Sequence, residues 1–152
     1  MQNIFPIITL YQPWATWIMR EWKTIETRTH NRFSSLHGKT ILIHAGQKTD
    51  VPAFFNPYLT KKQILDADGM VNGFILGSAY VCNIGPLTDF NSKAALIECH
   101  STNRFGLFLK DIKKFEKPIP AKGEMGIWYF DLDTMQKIKK KEIKLTDQST
   151  LF

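Results

Sequence analysis

At 152 residues, with 43% hydrophobic and 22% charged side chains, the chain has the size and make-up of one globular domain with a real core. No stretch approaches the ~20 apolar residues of a membrane-spanning helix. Cys82 and Cys99 cannot build a disulfide framework, and four scattered histidines without HxxxH or HExxH spacing carry no metal signature. The net charge of +6 suits a polyanionic partner such as nucleic acid. Half of that excess sits in residues 136–152, where five lysines face Glu142 and Asp147. The start, Met1 to Pro6, has neither the basic end nor the long apolar run of a signal peptide, so the expected location is the cytoplasm, with both thiols reduced.

In chain order, Ile4–Leu10 is an apolar, β-branched run and predicts a first strand. Pro13 suits the first turn of a helix. Trp14, Trp17 and Ile18 recur at i, i+3, i+4, which predicts a short helix packing inward. Gln12 stands at the strand-to-helix corner with no evident core duty, which frees it to read a ligand.

Glu21 to Thr29 then reads as a short strand, although it packs Lys23, Glu26 and Arg28 into six residues. Alternate side chains on a strand share a face. Glu26 and Arg28 therefore point together, Ile25 points to a core, and the long stem of Lys23 reaches round towards Glu26. A carboxylate, a guanidinium and an ammonium converge, as in a polar cleft for an anion or a base edge. The plainer alternative is an exposed ion pair worth roughly 0–1 kcal/mol.

His30 to Gly38 reads as a polar loop and Lys39–Ala45 as a strand. On that strand Ile41 and Ile43 share one face, and Leu42 and His44 share the other. His44 at the strand's end is a candidate ligand contact or a satisfied structural histidine. Thr60–Gln63 is a capping box, so a helix runs to about Ala67. Gly73–Ile84 predicts a long strand with a bulge or close approach at Gly77. Ser92–Cys99 predicts a helix and Phe105–Leu109 a strand. Pro118 and Pro120 mark an extended loop, and Ile127–Leu132 is a last strand. Met135–Ile138 has helix-forming composition, and a lysine-rich tail follows, disordered past about residue 146. About six short strands with a few helices imply an α+β, mostly β domain over residues 1–134, closed into a small barrel, with a basic extension over 135–152.

Four segments in order resemble one family, the ASCH domain. They are Leu10-Tyr11-Gln12-Pro13-Trp14-Ala15, Lys23-Thr24-Ile25-Glu26-Thr27-Arg28, Leu42-Ile43-His44-Ala45, and Pro118–Gly123 leading into Gly126-Ile127-Trp128. Trp22 departs from the family signature, which begins with Gly. The resemblance implies a PUA-like β-barrel, a cleft lined by the Lys-x-x-Glu-x-Arg segment, and a role in RNA metabolism. Of the enzymatic branches, the N4-acetylcytidine amidohydrolases take a Lys and a Thr three residues later as catalytic. Lys23 matches the Lys, but Glu26 stands where the Thr would be. Another branch is a metal-dependent ribonuclease acting on single-stranded RNA, and only that activity would call for a divalent metal. No cofactor is otherwise expected.

The expected partner is thus single-stranded RNA or a modified nucleoside. Lys23, Arg28 and Lys122 would contact phosphates, Tyr11 or Trp14 would stack on a base, Gln12 and Glu26 would read its edge, and His44 would hydrogen-bond the ligand. As an enzyme, the chain would use Glu26 as general base and Lys23 or Arg28 for a developing oxyanion.

Overall fold

The computed structural model describes residues 3–99, 104–140 and 143. Seven strands form one sheet: β1 (Ile4–Gln12), β2 (Ile25–Arg28), β3 (Thr40–Thr49), β4 (Phe74–Pro86), β5 (Phe105–Pro120), β6 (Trp128–Asp131) and β7 (Gln136–Ile138). Their order is β2-β5-β4-β3-β1-β6-β7. The helices are short: α1 (Trp14–Met19), α2 (Lys61–Leu65) and α3 (Ser92–Ala95). The mostly β, α+β class matches expectation, and the closed barrel does not. Among the described residues no pairing joins β2 to β7, so the sheet is open and these two strands are its edges.

The inner strand β1 is buried on both faces. Ile7 and Ile8 are each fully buried, in different cores. Ile7 packs with Leu42, Ile75, Trp128 and Phe130. Ile8 packs with Ile41, Ile43, Ala79 and the α1 residues Ile18 and Met19. The alternation expected along β3 is therefore correct. β1 runs parallel to β3 (Ile7↔Leu42 to Leu10↔Ala45) and antiparallel to β6. Parallel neighbours need a crossover, and α1 and β2 supply it. The Trp17 and Ile18 side chains of α1 are fully buried, as their spacing predicts.

Gly77 is the close approach expected of it. A Cβ there would run into the Lys113 carbonyl oxygen and come within 2.5 Å of Met19 Sδ. The β4–β5 register shifts beside it, between Ile75 and Gly77.

Several boundaries differ from expectation, β3 for instance running on to Thr49. β5 continues past Leu109 to Pro120, with Pro118 and Pro120 among its last residues, where a missing N–H is tolerated. α3 stops at Ala95 because Leu96 turns left-handed (φ 56°). Gln136–Ile138 is a strand, not a helix, and pairs with β6 (Tyr129↔Ile138, Phe130↔Lys137) after a turn through Met135 at φ 59°. Ladder hydrogen bonds to β6 outweigh the helical composition. Part of the expected extension thus belongs to the sheet, and Ile143 is buried with Ile4. The tail past residue 146 lies outside the described residues.

Candidate functional site

α1 ends at Met19, and the chain turns through Glu21, whose φ is 61°. The left-handed residue is therefore Glu21, one position before Trp22, which stands where the family signature has its Gly. The amides of Trp22 and Lys23 both donate to the Trp17 carbonyl, at 3.0 and 3.2 Å. This turn delivers Lys23 to the start of β2. Thr24 N donates to Ala94 O at 2.9 Å, so the end of α3 receives the strand. Ile25 faces a small core with Leu87, Ala95 and Cys99, while Glu26 and Arg28 point together, as the alternation predicts.

The resulting charge cluster is not an exposed ion pair. Lys23 is 2% exposed and Glu26 7% exposed. Lys23 Nζ donates to Ala95 O at 2.5 Å, lies 3.7 Å from Glu26 Oε1, and sits 4.9 Å from the Trp14 ring centroid. Arg28 Nη2 lies 3.3 Å from Glu26 Oε2, with its guanidinium 4.8 Å from the Phe33 ring centroid. Burial holds the Lys23 ammonium below its ordinary 10.5, with Glu26 pulling the other way. Arg28 Nε is buried and has no hydrogen-bond partner among the described residues.

Above this cluster opens a cleft of about 1130 Å³. Its walls are the ends of β1 (Thr9, Leu10, Tyr11) and β3 (Gly46, Gln47, Lys48), the segment from Arg28 to Phe33, and the loop from Lys122 to Ile127. Four cations (Arg28, Arg32, Lys48, Lys122) face two carboxylates, Glu26 and Glu124, and Glu124 pairs with Lys137 at 3.4 Å. His30 is held below its ordinary value by desolvation and then by Arg32 and Arg28.

Of the residues singled out from sequence, Tyr11, Trp14, Glu26, Arg28 and Lys122 line the cleft. Lys23 does not. It lies behind the wall and acts on the cleft through Glu26. Gln12 is a correction, because it has a full structural duty. Its amide nitrogen donates to Thr16 Oγ1 (2.7 Å) and Val71 O (2.8 Å), its oxygen accepts from Thr16 N (3.0 Å), and it is completely buried.

His44 is likewise structural and 1% exposed. Ala121 O, 2.7 Å away, can only accept, so Nε2 carries the proton. Nδ1 then accepts from the Thr9 hydroxyl at 3.2 Å, and Thr9 Oγ1 accepts from Trp128 Nε1 at 3.0 Å. His44 thereby ties the Lys122–Ile127 lip of the cleft to β1.

Burial holds His44 below its ordinary 6.5, outweighing the Ala121 hydrogen bond. Between the folded value and 6.5 the unfolded chain binds more protons, so stability falls as pH drops through that window. Urea midpoints at pH 7 and pH 5 should show this loss in the wild type and a smaller one in His44→Gln.

His30, Arg32 and Phe33 fall in the polar loop expected over His30–Gly38, and Lys48 lies beyond the expected strand Lys39–Ala45, so the sequence singles out none of them. Arg28, His30 and Arg32 recur at every second position, continuing the cleft-side alternation of β2 beyond its end, and that was the available signal. Among the described residues no group of three His, Cys, Asp or Glu side chains could hold a metal, and no helix is long and apolar enough to cross a membrane.

The family model described as ASCH domain matches residues 8–120. The crystal structure of ASCH from Zymomonas mobilis aligns with a TM-score of 0.52 at 16% identity, covering 91% of this chain and 90% of that one. The crystal structure of a point mutant of that Zymomonas mobilis protein aligns at 15% identity with a TM-score of 0.49, covering 92% of this chain and 94% of that one. Among curated proteins none matches the chain.

Proposed function

The chain belongs to the ASCH domain family, and we propose that it binds single-stranded RNA or a nucleotide in the cleft above β2. The observation that carries this reading is the buried Glu26 carboxylate held between Lys23 and Arg28 at the base of a cation-rimmed cleft. A carboxylate accepts from the exocyclic amino group of cytosine or adenine, whereas a bare phosphate would be repelled by it. Trp14 lines the cleft with a partly exposed ring, and base–aromatic stacking is worth about 1–3 kcal/mol. Arg32, Lys48 and Lys122 suit the phosphates. The Arg28 guanidinium, a quarter of whose side chain is exposed, is a charged donor for a ligand oxygen. Lys23 is a positioning residue that fixes Glu26.

Hydrolysis of a modified nucleoside or of single-stranded RNA would use the same carboxylate, with Glu26 as base and Arg28 on the oxyanion. Turnover separates the two readings. Labelled single-stranded RNA should be retained in a salt-dependent way, and Arg28→Ala should weaken retention about 10- to 100-fold, the weight of one charged hydrogen-bonding group. Unchanged retention in Arg28→Ala, with an intact melting curve, would sink the cleft assignment. Chromatography of a modified-nucleoside panel and of the RNA, with and without Mn²⁺ or Mg²⁺, reports any product. Product made by the wild type and lost in Arg28→Ala would turn the reading to hydrolysis.

A further inference from the structure

The groove continues past Tyr11. Beyond the rim formed by Tyr11 and Lys48 a second hollow of about 500 Å³ opens, bounded also by Thr49, Asp50, Val51 and Pro52. Tyr11 and Lys48 are walls of both hollows. Pockets for one drug-sized ligand measure about 300–1,000 Å³, so the main cleft already has room for one nucleotide and the hollow extends it. Tyr11 is 50% and Val51 63% exposed, an apolar platform beside a cationic rim. Lys48 Nζ lies 5.9 Å from the Tyr11 ring centroid, on the saddle between the hollows.

Asp50 repeats the part that Glu26 plays in the cleft. Its Oδ2 accepts from Trp14 Nε1 at 2.8 Å, and its backbone N–H donates to Gln12 O at 2.6 Å. The carboxylate is therefore fixed, and Oδ1 has no hydrogen bond among the described residues. Each hollow offers a held carboxylate beside an aromatic ring, with a lysine between them. That is the repeat of a single strand: base, phosphate, base.

Resting on the function proposed above, we infer that the groove seats two successive nucleotides of a single strand. The first base lies over Glu26 and the linking phosphate meets Lys48. The second base stacks on Tyr11 and Val51, with Asp50 at its edge. The ligand class is then an oligonucleotide, and a free nucleoside fills only part of the groove.

The test is competition against a fluorescein-labelled ten-nucleotide RNA of mixed sequence, using AMP, CMP and the dinucleotides ApC and CpA. The better dinucleotide should displace the probe at about tenfold lower concentration than either mononucleotide, the weight of one further stack. Val51→Glu places a negative charge in the second hollow at an exposed position and should remove most of that advantage. Tyr11→Ala should do the same by deleting the ring, whereas Arg28→Ala should weaken both classes alike. A mononucleotide that competes as well as the dinucleotides, or an advantage fully kept in both Val51→Glu and Tyr11→Ala, overturns the second seat and leaves the cleft reading standing. A wild-type chain that fails to hold the labelled RNA overturns both.

Discussion

Glu26→Gln should destabilise the protein by about 3–5 kcal/mol, the usual cost of removing one partner of a buried ion pair. The loss falls on Lys23, which is 2% exposed and would keep the Ala95 carbonyl, the Trp14 ring and the neighbouring Cys99 but no carboxylate. Arg28 is less affected, since a quarter of its side chain is exposed and water can compensate. The double variant Lys23→Met/Glu26→Gln should recover most of the loss, because an apolar stem of similar length fills the same space without a charge. Urea unfolding of the four chains in the cycle measures the coupling. A double variant no more stable than Glu26→Gln would mean that the carboxylate's worth lies elsewhere, in Arg28 or in packing.

The same cycle has a pH signature. Burial holds Lys23 below its ordinary 10.5 in the folded chain. Between the folded value and 10.5 the unfolded chain binds more protons, so this residue's contribution to stability rises with pH across that window. Glu26→Gln deletes the attraction that opposes the depression, so the folded value drops further and the window widens. The stability gap between Glu26→Gln and wild type should therefore narrow on moving from neutral pH towards 10.5. In the Lys23→Met background that narrowing should vanish.

The local pattern was legible where a period of two decides the geometry. Ile25 against Glu26 and Arg28, and Ile41 and Ile43 against Leu42 and His44, fell on the faces that alternation assigns. The Thr60 capping box and the crowded Gly77 were also legible, because each depends on neighbours within a few residues or on the absence of a side chain. Gln12 and His44 were not, because their duties are set by Val71 and Ala121, which are 59 and 77 residues away in sequence. A polar side chain at a strand end looks the same in sequence whether it meets a ligand or a distant carbonyl. Gln136–Ile138 shows the same limit in the backbone, since an open edge on β6 decides its state and composition does not. The cleft's cationic rim was half visible. Arg28 and Lys122 stood in recognisable segments, while Arg32 and Lys48 reached the cleft through a loop path and a strand end that only the fold places together.

The lip of the cleft offers a sharper comparison, since two glycines in one loop should fail for different reasons. A Cβ on Gly123 would lie 2.8 Å from His44 Cε1 and from Thr9 Oγ1, and 2.9 Å from His44 Nδ1. Those atoms cannot yield easily, because His44 is bonded at both ring nitrogens and packs edge-on to Trp128 with ring centroids 5.3 Å apart. Gly123→Ala must therefore push the loop outward, costing about 1–3 kcal/mol as overpacking does and carrying Lys122 away from the cleft. Gly126 stands at φ +74° with open space where its Cβ would be. Gly126→Ala meets only the left-handed strain, about 1–2 kcal/mol, and leaves the His44 tie intact. The two variants should thus lose comparable stability in urea, yet Gly123→Ala should weaken RNA retention several-fold more than Gly126→Ala. Equal retention in both would show that the position of Lys122 does not matter to the ligand and would remove the loop from the binding surface.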